Sequence, residues 1–177
     1  MTPSIQLPSK PRSVPRLVQD GESLVPDSSS SPEDFLEALC LSFGVADPVW
    51  CLSLLNSAVN AVPAKEDGKA QVANDVLSSV LAIAPTDGVE AMLAIQAAVT
   101  HQHVMAYLGK AAASNLAGMA EDRLCMAAKL MKLFSLQIQT LGKHRHQGQQ
   151  TVRVEHVHVH AGGQAIVGNI GEGGHAK

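Results

Sequence analysis

The stretch LCMAAKLMKLFSLQIQTL, residues 124–141, is the most regular segment of the chain. Leu124, Ala127, Met131, Phe134, Ile138 and Leu141 follow a 3-4-3-4-3 spacing, the heptad seam of a helix that packs along another helix. Leu130 and Leu133 widen the apolar face. A bare two-stranded coil would leave them wet, so the pattern predicts a bundle position with Phe134 fully buried. Gly142 is expected to end this helix, and the run Asn115 to Gly118 separates it from the one before.

Upstream, helix punctuation repeats. Ser31 followed by Pro32, Glu33 and Asp34 supplies an N-cap, a proline at the first helical position and an acidic first turn. Phe35, Leu36, Leu39, Cys40 and Phe43 then recur at helical spacing up to Gly44. Asp47 and Pro48 start a second helix, which runs through Trp50, Leu54, Leu55, Ala58 and Val62 to Pro63. A third begins near Glu66 and Asp67, carries Ala73, Val76, Leu77, Val80 and Leu81, and stops before Pro85. Thr86 or Asp87 caps a long fourth helix reaching about residue 113, and Asp87 with Glu90 has capping-box spacing. In the fourth helix Met92, Ile95 and Val99 form one stripe, and Ala97, His101, Val104 and Leu108 form another.

Composition agrees with helices. Among 177 residues, 46% are hydrophobic and only 3% aromatic, so the core must be built from Ala, Leu, Val and Met. Such a mix suits closely packed helices better than a β-sandwich. Residues 1–32 hold six of the nine prolines and the serine run Ser28 to Ser31. Their apolar residues have no period, and the segment is expected to be a disordered tail.

Beyond Gly142 the period changes. A polar linker is expected over 143–150, and a C-terminal β-ribbon over 151–177. Val152, Val154, Val157 and Val159 alternate with a slip at Glu155 and His156, and a bulge there would gather all four valines on one face. Ala161, Gly162 and Gly163 make a turn before a second apolar run containing Ile166, Val167 and Ile170. Two short strands cannot bury such a face between themselves. These seven residues are therefore the candidate surface for self-association or partner docking.

The net charge of −3 argues against a general nucleic-acid binder. It is unevenly spread: residues 33–142 carry six Lys and Arg against eleven Asp and Glu, whereas residues 143–177 carry four against two. The mild basic patch of Lys143, Arg145 and Arg153 has no interleaved aromatic for base stacking. Six of the eight histidines also lie in this last region. His156, His158 and His160 would share one strand face about 7 Å apart, and the outer two, about 13 Å apart, cannot reach one ion. They are metal candidates only if other chains complete the site, and no cofactor is expected. His101 and His103, two residues apart on a helix, point apart and cannot chelate together.

No Gly-x-Ser-x-Gly elbow, His-Glu-x-x-His motif or phosphate loop is present, so the expectation is a protein without enzymatic activity. The acidic pairs Glu66-Asp67 and Glu121-Asp122 fall at helix starts, where the macrodipole accounts for them. Cys40, Cys51 and Cys125 form no Cys-x-x-Cys pair, and the prolines near the N-terminus would break an apolar leader. The longest uncharged helical stretch, residues 91–109, holds Gln96, Thr100, His101, Gln102 and His103, which do not suit a membrane span. A cytoplasmic, reduced chain is expected.

TVRVEHVHVHAGGQAIVGNI, residues 151–170, resembles the C-terminal tail of a family of short uncharacterised bacterial hypothetical proteins, GGQAIVG at 162–168 being its most specific part. AMLAIQAAVTHQH, residues 91–103, is similar to their central helix. The resemblance implies an architecture and no mechanism. The reading as a whole is mainly α: a small bundle of about five helices over 33–142, with the β-ribbon mediating self-association or docking a protein partner. The rival readings are a metal- or pH-responsive binding protein using the histidine strand, and a phage-derived or chromosome-associated accessory protein.

Overall fold

A computed structural model describes residues 14–21, 23–28 and 30–146 of the chain. The elements are β1 (Leu17–Asp20), β2 (Ser23–Pro26), α1 (Pro32–Phe43), α2 (Pro48–Ala61), a 3-10 turn at Glu66–Gly68, α3 (Lys69–Ile83), α4 (Gly88–Ala112) and α5 (Ala117–Arg145). The protein is mainly helical, and the five helices expected from the sequence are present.

Local chemistry sets the helix ends. The Ser31 hydroxyl accepts from the Asp34 amide at 3.1 Å, and Asp47 Oδ1 accepts from the Trp50 amide at 3.0 Å. Each satisfies a donor that the first turn leaves without an intrahelical partner. Gly44 closes α1 in the left-handed region, with φ 64°, and its N–H turns back to the carbonyls of Cys40 and Leu41. Ala84 does the same for α3 with φ 51°, although it carries a Cβ.

α1, α2, α3 and the N-terminal half of α4 enclose the core. Leu39, Phe43, Cys51, Ala73, Val76, Leu77, Val80, Ala91 and Ala94 are fully out of solvent. Alanine at 91, 94, 97 and 98 lets neighbouring helices approach α4 closely. Cys40 and Cys51 sit together in this core. Burial pushes both thiols up, Cys51 to about 12 with the neighbouring Cys40 adding to the effect. They are inert small hydrophobes here.

Three features differ from the sequence reading. The first is at the N-terminus, where residues 17–26 form an antiparallel hairpin pairing Leu17 with Pro26 and Asp20 with Ser23. Its tight turn uses Gly21 at φ 58°. A lone hairpin is marginal, but this one is tied to α3. Asn74 Oδ1 accepts from the Leu17 amide at 2.9 Å and Asn74 Nδ2 donates to the Leu17 carbonyl at 2.8 Å, while the Leu17 side chain enters the core. Asn74→Ala should remove both bonds. It should cost about 1–2 kcal/mol and speed hydrogen exchange in residues 17–26 before the rest of the fold. Unchanged exchange in the hairpin would show that Leu17 burial alone holds it.

The second difference is the length of α5, which continues through Gly142 to Arg145 and takes over the start of the expected linker. A helix tolerates one glycine at a cost of about 1 kcal/mol, and the contacts Arg145 makes beyond it offset that cost. The third concerns how α5 packs. It lies along α4 and touches the other elements sparsely. Its inner face is Ala120, Arg123, Ala127, Leu130, Phe134, Gln137 and Leu141, again at heptad spacing. Only Ala127 and Leu141 are fully buried, and Phe134 is partly exposed. Leu124, Met131 and Ile138, expected in the seam, face outward at 51%, 43% and 40% exposure. The expected bundle position thus reduces to a two-helix hairpin.

The C-terminal ribbon and its valines, isoleucines and histidines lie outside the described residues. The chain divides into 1–147 and 148–177, and every described residue belongs to the first unit. Among the described residues no single helix is long and apolar enough to cross a membrane.

Candidate functional site

Two features of the described residues stand out: a charged cluster where three helix ends meet, and the outer face of the α4–α5 hairpin.

The cluster joins the C-terminus of α5 to the N-terminus of α4. Asp87 caps α4, its Oδ1 accepting from the amides of Val89 and Glu90 at 2.8 and 2.9 Å. Its Oδ2 pairs with His144 Nε2 at 3.0 Å. Glu90, buried at 2% exposure, receives the Arg145 guanidinium at both oxygens, Nε at 3.1 Å and Nη2 at 3.0 Å. Glu90 Oε2 also accepts from the Thr86 amide at 2.9 Å. The capping-box spacing is therefore real, but Glu90 reaches the residue before the cap. Arg145 Nη2 further donates to the carbonyls of Ile83 and Ala84 at 2.8 and 3.0 Å. One side chain thus neutralises a buried carboxylate and satisfies carbonyls at the end of α3, where a cation suits the helix dipole.

Hydrogen bonding to Arg145 holds the Glu90 carboxyl below its ordinary range against the opposing effect of burial. The Glu90 amide, with His144, does the same for Asp87. Both carboxylates therefore stabilise the fold above their ordinary values of 4.5 and 3.8, and the benefit is lost as pH falls through the lowered ones. Arg145→Met should leave Glu90 buried without a partner and cost about 2 kcal/mol at pH 7, less than a fully buried pair because Arg145 is partly exposed. The gap between variant and wild type in urea midpoint should narrow as pH falls through the lowered Glu90 value, because the carboxylate that Arg145 stabilises is then protonated in the wild type as well. A gap that persists there would assign the loss to the carbonyl contacts instead.

Asp87, Glu90 and His144 place one ligand atom each within 4.8 Å of one another, a spacing that could suit a divalent ion. The chemistry disfavours it. The Glu90 oxygens are engaged by a guanidinium, Asp87 Oδ1 caps the helix, and the positive end of α4 points into the cluster. The cluster is a structural latch.

Sequence reasoning missed this latch because its halves are separated by more than fifty residues. Both His144 and Arg145 fall within the expected linker 143–150, where no acidic residue lies close in sequence. The only signal was the Asp87-Glu90 spacing. The other described histidines are separate, as expected: His103 Nε2 lies 3.0 Å from the Ala61 carbonyl, and the His101 ring stands 6.1 Å from that of Phe134. The candidate docking residues Val152, Val154, Val157, Val159, Ile166, Val167 and Ile170 and the metal candidates His156, His158 and His160 are outside the described residues.

The second feature is apolar. Met119, Leu124, Met126, Met131, Leu133, Leu136 and Ile138 of α5 are each at least 40% exposed, as is Met105 of α4. Leu124, Met131 and Ile138 recur by seven on one flank of α5, and Met119, Met126 and Leu133 recur by seven on the other. Rows of this kind mark contact surface, whereas scattered apolar side chains are ordinary. Comparison with protein-family models, curated proteins and solved structures found no match.

Proposed function

We propose that this is a non-enzymatic protein whose role rests on self-association through apolar surface. The observation that carries the reading is the exposed apolar side chains on both flanks of α5, a helix that α4 covers on one side only. In sequence, the alternating valines at 152, 154, 157 and 159 are a second candidate for the same role. Apolar area of this kind is removed from water by association, at roughly 25 cal/mol per Å².

Light scattering on the full chain tests it. The full chain should be larger than a monomer at micromolar concentration. Val157→Lys and a chain ending at Gln147, which retains the latch, should report the share carried by the C-terminal segment. A full chain that stays monomeric at high micromolar concentration overturns the reading.

A further inference from the structure

One flank of α5 carries a second heptad pattern beside the one used by α4. Leu124, Met131 and Ile138 form a row of large side chains spaced by seven. Ala128, Ser135 and Gly142 form a parallel row of small residues, also spaced by seven. Together they alternate large and small along one stripe, with Leu124, Ala128, Met131, Ser135 and Ile138 all exposed. The charges flanking the stripe are polarised. Glu121 and Asp122 lie at its N-terminal end and Lys143 at its C-terminal end, all three exposed.

We infer that a second copy of this chain covers the stripe, the two α5 helices running antiparallel about a two-fold axis level with residue 133. The inference deepens the self-association reading and rests on it. Reversal of direction sets Leu124 against Gly142 of the copy, Met131 against Ser135 and Ile138 against Ala128. Every large side chain then meets a small one, the condition for close interdigitation. The same register brings Glu121 and Asp122 beside Lys143 of the copy at both ends. A parallel pair would oppose like charges at each end and large residues to large ones. Lys132 falls beside the axis, where its long stem reaches solvent. With α4 beside each α5, the result is a four-helix arrangement and an isologous interface. A stripe fitted to its own reverse identifies the occupant as the same chain, since an unrelated partner would not require this match.

Site-directed cross-linking of the full chain tests the register. In the antiparallel pair Cys125 and residue 139 of the copy lie on the same flank about 3 Å apart along the axis, whereas the two Cys125 residues are separated by about 24 Å. A short bis-maleimide should leave the wild type largely uncross-linked and should join Gln139→Cys into a covalent dimer, Cys40 and Cys51 being buried. Met131→Glu, exposed in the single chain, should keep its helical circular dichroism and weaken dimerisation on the order of a hundredfold, because two carboxylates meet near the axis. Efficient wild-type cross-linking through Cys125 overturns the antiparallel register. An oligomer indifferent to Met131→Glu, with no product from Gln139→Cys, overturns the α5 interface and leaves self-association to other surfaces. A full chain that is monomeric throughout overturns both.

Discussion

Phe43→Ala is expected to lower the unfolding free energy by about 3–5 kcal/mol, the usual cost of emptying a large buried site. Phe43 is fully excluded from solvent at the last turn of α1, within the core cluster that α1, α2, α3 and α4 share. The chain has three phenylalanines, and its buried neighbours are mostly alanine, valine and leucine. Small side chains fixed on helices move little to refill a ring-sized void, so the cost should fall in the upper part of the range. Urea denaturation would read it directly. Phe134→Ala should cost distinctly less, because that ring is partly exposed. Equal losses at the two positions would mean that α5 is buried far more deeply than the structure shows.

The next residue carries the second large effect. Gly44→Ala should cost about 2–4 kcal/mol, combining left-handed strain with crowding. A Cβ there would collide with the Pro85 carbonyl oxygen and lie 2.9 Å from the carbonyl carbons of Pro85 and Thr86. All three are backbone atoms of the segment that carries the latch, so none can swing aside as a side-chain tip would. Gly21→Ala is the control, since Gly21 also has positive φ, at 58°, but nothing lies within 4 Å of its added Cβ. It should lose about 1 kcal/mol, from conformation alone. If the two alanines cost the same, crowding against Pro85 contributes nothing.

Much of the helical body was legible because helix caps are local chemistry. Ser31, Pro32, Gly44, Asp47, Pro48 and Asp87 stand within a few residues of the ends they set. The core residues from Phe35 to Val80 followed the same helical period. What stayed hidden depends on distant partners. The tail reading failed for residues 17–26 because Asn74, far along the chain, supplies the hydrogen bonds that the segment cannot make internally. Gly142 looked like a stop because its surroundings contain no reason to continue; the reason is Glu90, across the hairpin. The heptad of α5 was read with the correct period but rotated by part of a turn. Ala127, Phe134 and Leu141 belong to both possible seams, and a helix apolar on more than one side does not declare which side meets its neighbour. The consequence for stability is concrete. A fragment limited to 33–142 loses both Leu17 and Arg145, and with them the anchored hairpin and the latch.

Arg145 also decides the mechanics of the hairpin. It binds the ends of α3, α4 and α5 at one point, while the connection between α4 and α5, over residues 113–116, lies at the opposite end. The last α4 residue in the core cluster is Ala98, so about 21 Å of α4 continues past that cluster. The hairpin is therefore a cantilever, clamped at its base and projecting past the core cluster at its tip. Deflection of such a beam rises steeply with distance from the clamp, so the tip should bend and fray on thermal energy long before the base does. In the antiparallel pair each compliant tip would lie against the partner's clamped base, and two cantilevers would become one beam supported at both ends.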